Sequence, residues 1–319
     1  MKPAVSVIIP SYNHEAFVGR AIVSALDSGG EGLEVVVVDD GSTDASRDRL
    51  DRYRDDPRVR IHLQDNRGAH AALNRGLELA EGDIAFILNS DDAFHRDRIA
   101  ALTRRLADNP EAVIGASWIQ VVDAEGSELG VKQAWRTLPP WPAPTTGPRL
   151  SDLGDPRLAL LETNWISTTS NLAFPMTLIR EHGLGFSPLR YTHDWDFILS
   201  ACRLGGVELV EEPLVQYRVH GANTIGEGAD EGRGRMRFEI MWVVARHAAR
   251  LLRSIADNDA ELVRLRELLS SSAPTFGCDA VFGQLLLLRG GEENSPAAYD
   301  ALTDPGHPFT AAAIELLQD

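Results

Sequence analysis

The chain has 319 residues, 44% hydrophobic and 24% charged, an ordinary globular composition with room for about two domains. A net charge of -16 and a pI near 5.0 exclude an electrostatic grip on nucleic acid or on an anionic membrane surface. Only Cys202 and Cys278 occur, so no disulfide framework is expected, and a reducing, cytoplasmic setting is.

The first half alternates strand and helix. Val5 to Pro10 is an apolar strand and His14 to Ser28 carries helical spacing. Met1-Lys2-Pro3 leads straight into that strand, so no signal peptide is expected. Leu33 to Asp40 is too apolar to face water on either side, the mark of a strand in a parallel sheet. A helix start is predicted at Ser42 or Asp44, both good caps, then strands at Val59 to Leu63 and Ile84 to Leu88 with a helix from Gly68 to Ala80 between them. Arg96 to Asn109 is helical, and a strand follows at Val113 to Val122. The rhythm predicts an α/β domain with a doubly wound, mostly parallel sheet and helices on both faces.

After Val122 the rhythm breaks. A hairpin is expected around Ala124-Glu125-Gly126, and Thr137 to Pro148, with five prolines and Trp141, reads as a loop. Asp194 to Leu204 reads as a helix and Val207 to His220 as two extended segments. From about Glu231 the pattern is helical to the end. The glycine- and charge-rich stretch Gly226 to Gly234 marks a boundary, giving domains at 1–225 and 231–319. No run of ~18 apolar residues exists, so no transmembrane helix is expected. Glu239 to Ala256 is amphipathic: a packed helix of a C-terminal bundle, or a peripheral membrane or oligomer contact.

Several residues can carry chemistry. The strand at Ile84 to Leu88 stops at Asn89-Ser90-Asp91-Asp92, and ligands of open α/β sheets bind at that end. Adjacent carboxylates repel unless a cation neutralises them, and oxygen ligands suit Mg²⁺ or Mn²⁺; a turn or helix cap is the plainer use of Ser-Asp-Asp. Asp40 ends the second strand and can accept the N3–H of uracil or thymine, with Tyr12 placed to stack on the same base. His193-Asp194 opens an apolar helix, where an Asp is most often a cap. Arg218 and His220 share one side of a strand and together suit a diphosphate and its metal. There is no G-x-G-x-x-G after the first strand, no P-loop, no G-x-S-x-G elbow and no zinc spacing.

The blocks VSVIIPSYNHEAFVGRAIVSAL, LEVVVVDDGSTDAS, NRGAHAALNRGLELAEGDIAFILNSDDAF and YTHDWDFILSACRLGGVELVEEPLVQYRVHGANT resemble, in order, family 2 glycosyltransferases of the GT-A fold, over about Lys2 to Thr224. The resemblance implies an inverting, metal-dependent transferase acting on a nucleotide-sugar. It places Pro10, Tyr12 and Asp40 on the nucleobase, Asp91 toward the ribose and sugar, and Asp92 on Mn²⁺ or Mg²⁺. Asp194 matches the catalytic base, His220 a contact to the diphosphate or metal, and Arg218, more loosely, the diphosphate. The base argument favours a UDP-sugar, then a dTDP-sugar. The acceptor would be a saccharide, lipid-linked or protein hydroxyl, at the inner face of the membrane for a lipid-linked one. Beside the resemblance, Thr168, Thr169, Ser170 and Asn171 either line an acceptor or sugar pocket or show ordinary strand polarity, and Trp141 and Trp135 either stack on a sugar or lipid acceptor or tuck onto the core from a passive loop. Leu73 stands where the family often has Arg, and His193 where it often has Glu; the region after Glu231 matches nothing in the pattern. A nucleotidyltransferase and a non-catalytic nucleotide-sugar-binding module remain as alternatives.

Overall fold

The computed structural model describes residues 4–136, 138, 159–160, 163–221 and 223, and helical residues 235–236, 238–240, 242–244 and 246–247. Trp141, most of the Thr137 to Pro148 segment and the rest of the C-terminal region lie outside the described residues. The chain forms two compact units. One comprises Met1–Pro144, Asn164–Ser187 and Ser200–His220; the other comprises Thr145–Thr163, Pro188–Leu199 and Gly221–Asp319.

The first unit is built on strands β1 (Val5–Ser11), β2 (Leu33–Asp40), β3 (Val59–Gln64), β4 (Ile84–Ile87), β5 (Ala93–Phe94), β6 (Ala112–Val122), β7 (Glu128–Lys132), β8 (Ala173–Pro175) and β9 (Gly206–Arg218). They make one nine-stranded sheet in the order β3-β2-β1-β4-β8-β6-β9-β5, with β7 paired to β6. The β3-β2-β1-β4 side is parallel. β8 then runs antiparallel to both β4 and β6, and β9 returns parallel to β6. The expected mostly parallel architecture is present.

Its core follows from the period of two along a strand. All eight residues of β2 are buried. Val35 and Val37 pack in one cluster with residues of α1 (Val18–Ser28) and α4 (Arg98–Asp108), including Ile22, Ala25, Leu102 and Leu106. Val36 and Val38 face the other way, with Ala72 of α3 (Ala69–Leu79). A strand sandwiched this way has no polar face, which is why its sequence reads as a continuous apolar run.

The remaining elements depart from the sequence reading in detail. The helix after β2, α2 (Ser46–Asp51), starts beyond both proposed caps: Ser42 Oγ accepts from Asn13 N, and Asp44 accepts from Glu15 N with Oδ2 and from Ser46 N, the first residue of the helix, with Oδ1. The two extended segments expected after Val207 are one 13-residue strand, β9, whose register against β6 shifts at bulges. Thr169–Asn171 form a single 3₁₀ turn, followed by β8 and the short α5 (Thr177–Arg180). The hairpin at Ala124–Gly126 forms as expected, closed by Ser127 N–H donating to the Asp123 carboxylate at 2.7 Å. Among the described residues no helix is long and apolar enough to cross a membrane.

Candidate active site

β1, β2, β4 and β9 all run in one direction, so their C-terminal ends and following loops share one edge of the sheet. The loops after β1 and β2 are laced together. Asn13 N–H and His14 N–H each donate to a serine hydroxyl, Ser42 Oγ and Ser46 Oγ, at 3.0 Å. Thr43 N–H donates to Asn13 Oδ1, Glu15 N–H to Asp44 Oδ2 and Ala45 N–H to Glu15 Oε2. Burial pushes the Asp44 carboxyl up, and hydrogen bonds from Ser46 and Glu15 outweigh it and hold it below the ordinary carboxylate value. Asn13 adopts φ 52, a strained value for a residue with a side chain, but one that Asn tolerates.

Asp40 is buried, and its carboxylate is already engaged. Oδ1 accepts from Gln64 Nε2 at 2.7 Å and from Arg67 N at 2.9 Å, and Oδ2 accepts from Gly68 N at 2.8 Å. A carboxylate offers about four lone-pair positions, so one stays open on Oδ2. Gly41 follows at φ +80, with the Asn66 backbone nitrogen 2.7 Å from where a Cβ would sit, so any other residue would break this turn. Asp39 is also fully buried: Oδ1 accepts from Ser42 N and Arg47 Nε, and Oδ2 has no partner among the described residues. Pro10 is buried within β1, and the Tyr12 ring beyond it is 44% exposed, open to stacking.

The adjacent pair Asp91 and Asp92 divides its work. Asp92 is buried and points inward: Oδ2 accepts from Ser170 Oγ at 2.6 Å and Oδ1 from Arg218 N at 2.9 Å. Burial, then the Asp91 charge, pushes its carboxyl well above the usual range, and Ser170 and Arg218 offset this only in part. Asp91 instead meets His220, whose Nε2 lies 3.1 Å from Oδ2. His14 completes a group: one ligand atom each from His14, Asp91 and His220 lie within 4.8 Å of one another. Ser90 Oγ sits 2.7 Å from His14 Nδ1, and the rings of His14, Phe17 and His220 pack together. Two imidazoles and a carboxylate at this spacing are a donor set that suits a divalent cation.

Arg218 serves this loop rather than pointing past it. Its guanidinium donates to the carbonyls of Asp91, Asp123 and Ala124 at 2.9–3.1 Å and lies 5.2 Å from the Phe17 ring centroid. Beneath, a polar layer is tied to protein groups. Thr169 Oγ1 donates to Asn89 Oδ1. Asn171 exchanges bonds with the main chain of Ser117 and accepts from Arg98. Arg98 is fully buried, its guanidinium over the Phe94 ring at 4.9 Å and bonded to Ser117 and the Ser170 carbonyl; burial pulls it down to about 9. Trp135 is 38% exposed and packs edge-on against the buried Trp165 at 5.9 Å. Sequence reasoning missed His14, Ser90 and Arg98. For His14 the signal was its place just past β1, beside the residues already chosen at that edge.

The second unit carries α6 (His193–Ala201) from its start to Leu199. Asp194 is buried, and its Oδ1 accepts from Trp195 N at 2.7 Å. His193 Nδ1 lies 3.2 Å from the Leu189 carbonyl, and Trp195 Nε1 donates to the Leu160 carbonyl at 2.6 Å.

Residues 6–154 match the model of glycosyl transferase family 2. The matched stretch is the N-terminal part of the chain, just under half of it. An uncharacterized glycosyltransferase of Nostoc is 29% identical over 226 residues, 69% of this chain and 66% of its own length. Among solved structures, S. aureus TarS 1-349 in complex with UDP-GlcNAc superposes with a TM-score of 0.60 at 17% identity, over 100% of this chain and 90% of that one. The mannosyltransferase PcManGT from Pyrobaculum calidifontis, in complex with GDP-Man and Mn²⁺, gives 0.56 at 18%, over 99% and 86%. At these identities the two structures speak for the fold, which is GT-A.

Proposed function

We propose that the chain is an inverting glycosyltransferase that moves a sugar from a nucleoside-diphosphate sugar, a UDP-sugar first, to a hydroxyl of a saccharide or lipid-linked acceptor, with a divalent cation. One observation carries this reading: His14, Asp91 and His220 converge at the ligand-binding edge of the sheet, in a chain whose N-terminal part matches the family 2 model. Support comes from the two similar folds, one holding UDP-GlcNAc and the other GDP-Man with Mn²⁺. When bound, the cation neutralises charge on the departing diphosphate.

The residues take these roles. Asp91, His220 and His14 hold the cation; two imidazoles beside one carboxylate favour Mn²⁺ over Mg²⁺. The sequence pattern put Asp92 on the metal. Asp92 is buried against Ser170 and the Arg218 main chain, whereas Asp91 is the one that meets His14 and His220, so we assign the cation to Asp91 and give Asp92 the holding of Ser170 and the start of the Arg218–His220 segment. Arg218 orients the Asp91 main chain and the β6–β7 turn. Asp40 keeps one acceptor position for a base N–H, and Tyr12 stacks on that base. Asp194, by the sequence motif, takes the proton of the attacking hydroxyl. A cytoplasmic setting fits the low cysteine content.

The test is release of nucleoside diphosphate from UDP-GlcNAc, UDP-glucose and GDP-mannose with Mn²⁺, with and without chelator. The reading expects metal-dependent release and competition by UDP rather than CDP. Asp194→Asn should cost about 10²-fold or more in turnover while donor binding persists. Donor binding without any turnover would favour a non-catalytic module, and near-normal turnover in Asp194→Asn would remove the base.

A further inference from the structure

We infer that Glu239 is a positioning residue for Asp194, and that the helical stretch at 235–247 thereby belongs to the catalytic apparatus. This rests on the reading of Asp194 as general base. The stretch lies beyond the residues 6–154 matched by the family model, and every contact below falls within the second unit.

Three residues lead directly into α6. Glu239 is 1% exposed, and its carboxylate serves all three of them: Oε1 accepts from Arg190 N at 3.0 Å, and Oε2 from Tyr191 N at 2.7 Å and Thr192 Oγ1 at 3.5 Å. Arg235, one turn earlier, donates to Oε1 at 3.1 Å and supplies the countercharge. On the far side of Asp194 the next carboxylate, Asp196, receives His247 Nε2 at 2.8 Å and the Arg246 guanidinium at 3.2 and 3.3 Å. Asp194 is thus bracketed. Residues before it and after it are fastened to the helical residues Glu239, Arg246 and His247 by hydrogen bonds in which at least one partner is charged, the strongest kind available to side chains.

Such bracketing has a catalytic meaning. A general base works only within hydrogen-bond reach of the proton it removes, and a displacement of about 1 Å costs roughly 10²-fold in rate. Thr192, Asp194 and Asp196 are all buried, so this start of the helix is an interior structure that must be held by interior partners. Truncating Glu239 frees two backbone N–H groups and a hydroxyl together, and lets the turn that carries Asp194 shift.

The experiment uses the full chain with Mn²⁺ and whichever of UDP-GlcNAc, UDP-glucose and GDP-mannose the wild type hydrolyses fastest. Glu239→Ala should lower kcat about 10²-fold with the donor KM unchanged. Glu239→Gln, which keeps one acceptor oxygen, should recover most of that loss. Adding Glu239→Ala to Asp194→Asn should cost nothing further. Should Glu239→Ala fail to fold, as seen in thermal melting, Glu239→Asp, which keeps the charge but draws the carboxylate away from Arg190, Tyr191 and Thr192, carries the same comparison alone and combined with Asp194→Asn. Glu239→Ala, or Glu239→Asp in its place, with wild-type kcat beside an inactive Asp194→Asn overturns the positioning role and leaves the base assignment standing. An active Asp194→Asn overturns both.

Discussion

At the N-terminal edge of the sheet, Glu34 is buried and well served. Its oxygens accept from Ser6 Oγ, from the main-chain nitrogens of Glu81 and Gly82, and from Arg60, which brings a full positive charge at 3.0 Å. At the C-terminal edge, Asp91 and Asp92 stand side by side, and the cation whose fork is nearest, Arg218, gives that fork to carbonyls. Equal chemistry is thus used for opposite ends. The first edge neutralises its carboxylate and gains stability. At the second, burial and the neighbouring Asp91 push the Asp92 carboxyl up, an arrangement that costs stability; on the proposed reading a cation held by Asp91 and the two imidazoles offsets it.

This contrast can be broken at several points. Glu34→Ala should have the largest effect, about 3 kcal/mol or more in chemical denaturation, since four donors lose this acceptor at ~1–3 kcal/mol each, of which Gly82 N and Arg60 keep other acceptors. Metal-dependent donor binding per folded molecule should not change; if it falls in step with stability, the two edges are not separable. Asp91→Ala should do the reverse: a loss of about 10²-fold in Mn²⁺-dependent donor binding by calorimetry, with little change in Tm. Asp92→Ala sharpens the pair, since its first consequence should be a lower Tm. If Asp92→Ala removes the metal dependence and Asp91→Ala does not, the assignment within the pair is inverted.

Smaller effects calibrate the picture. Gly41→Ala puts a side chain at positive φ against the Asn66 backbone and should cost about 1–3 kcal/mol, read as a drop in Tm with weaker nucleotide binding. The smallest effect concerns Lys132, away from both edges. It is buried, its ammonium donates to the Ala134 carbonyl, and burial pulls its pKa from 10.5 down to about 8. A folded-state pKa below the unfolded one means the unfolded chain binds the proton more tightly. The penalty is therefore complete below pH about 8 and fades as pH rises toward 10.5. Stability should climb across that window in the wild type and stay flatter in Lys132→Met; equal slopes in the two would place the lysine in water.

Much of this was readable in the residues. Apolar runs ending in Asp39-Asp40 and Asp91-Asp92 announce parallel strands with a charged C-terminal edge, because a strand buried on both faces has no other pattern. The division of labour within Asp91-Asp92 was not readable. Neighbouring residues in a turn point in different directions, and the sequence does not say which one meets His220. His14 was hidden for a related reason: Ser90, Asp91 and His220 lie 76 residues or more along the chain, and the β1–β4 pairing together with β9 brings them close. β5 and β8, of two and three residues, are too short to show a period. Arg98 resembled any surface arginine of an amphipathic helix until its burial over Phe94 was seen.

The lacing between the loops after β1 and β2 has a further consequence. Asn13, His14 and Glu15 are fixed to Ser42, Thr43, Asp44, Ala45 and Ser46 before any ligand arrives. Ordering a loop costs conformational entropy whenever it happens, at about 1–2 kcal/mol for each backbone residue. Here that cost is met during folding, so on the proposed reading an arriving nucleotide would find His14 and the neighbourhood of Tyr12 already in place and keep more of its contact energy as affinity. The same bonds make the two loops a single body. A substitution in Ser42 or Ser46, neither of which needs to touch a ligand, should therefore be felt first as slower association and only afterwards as a change in the complex itself.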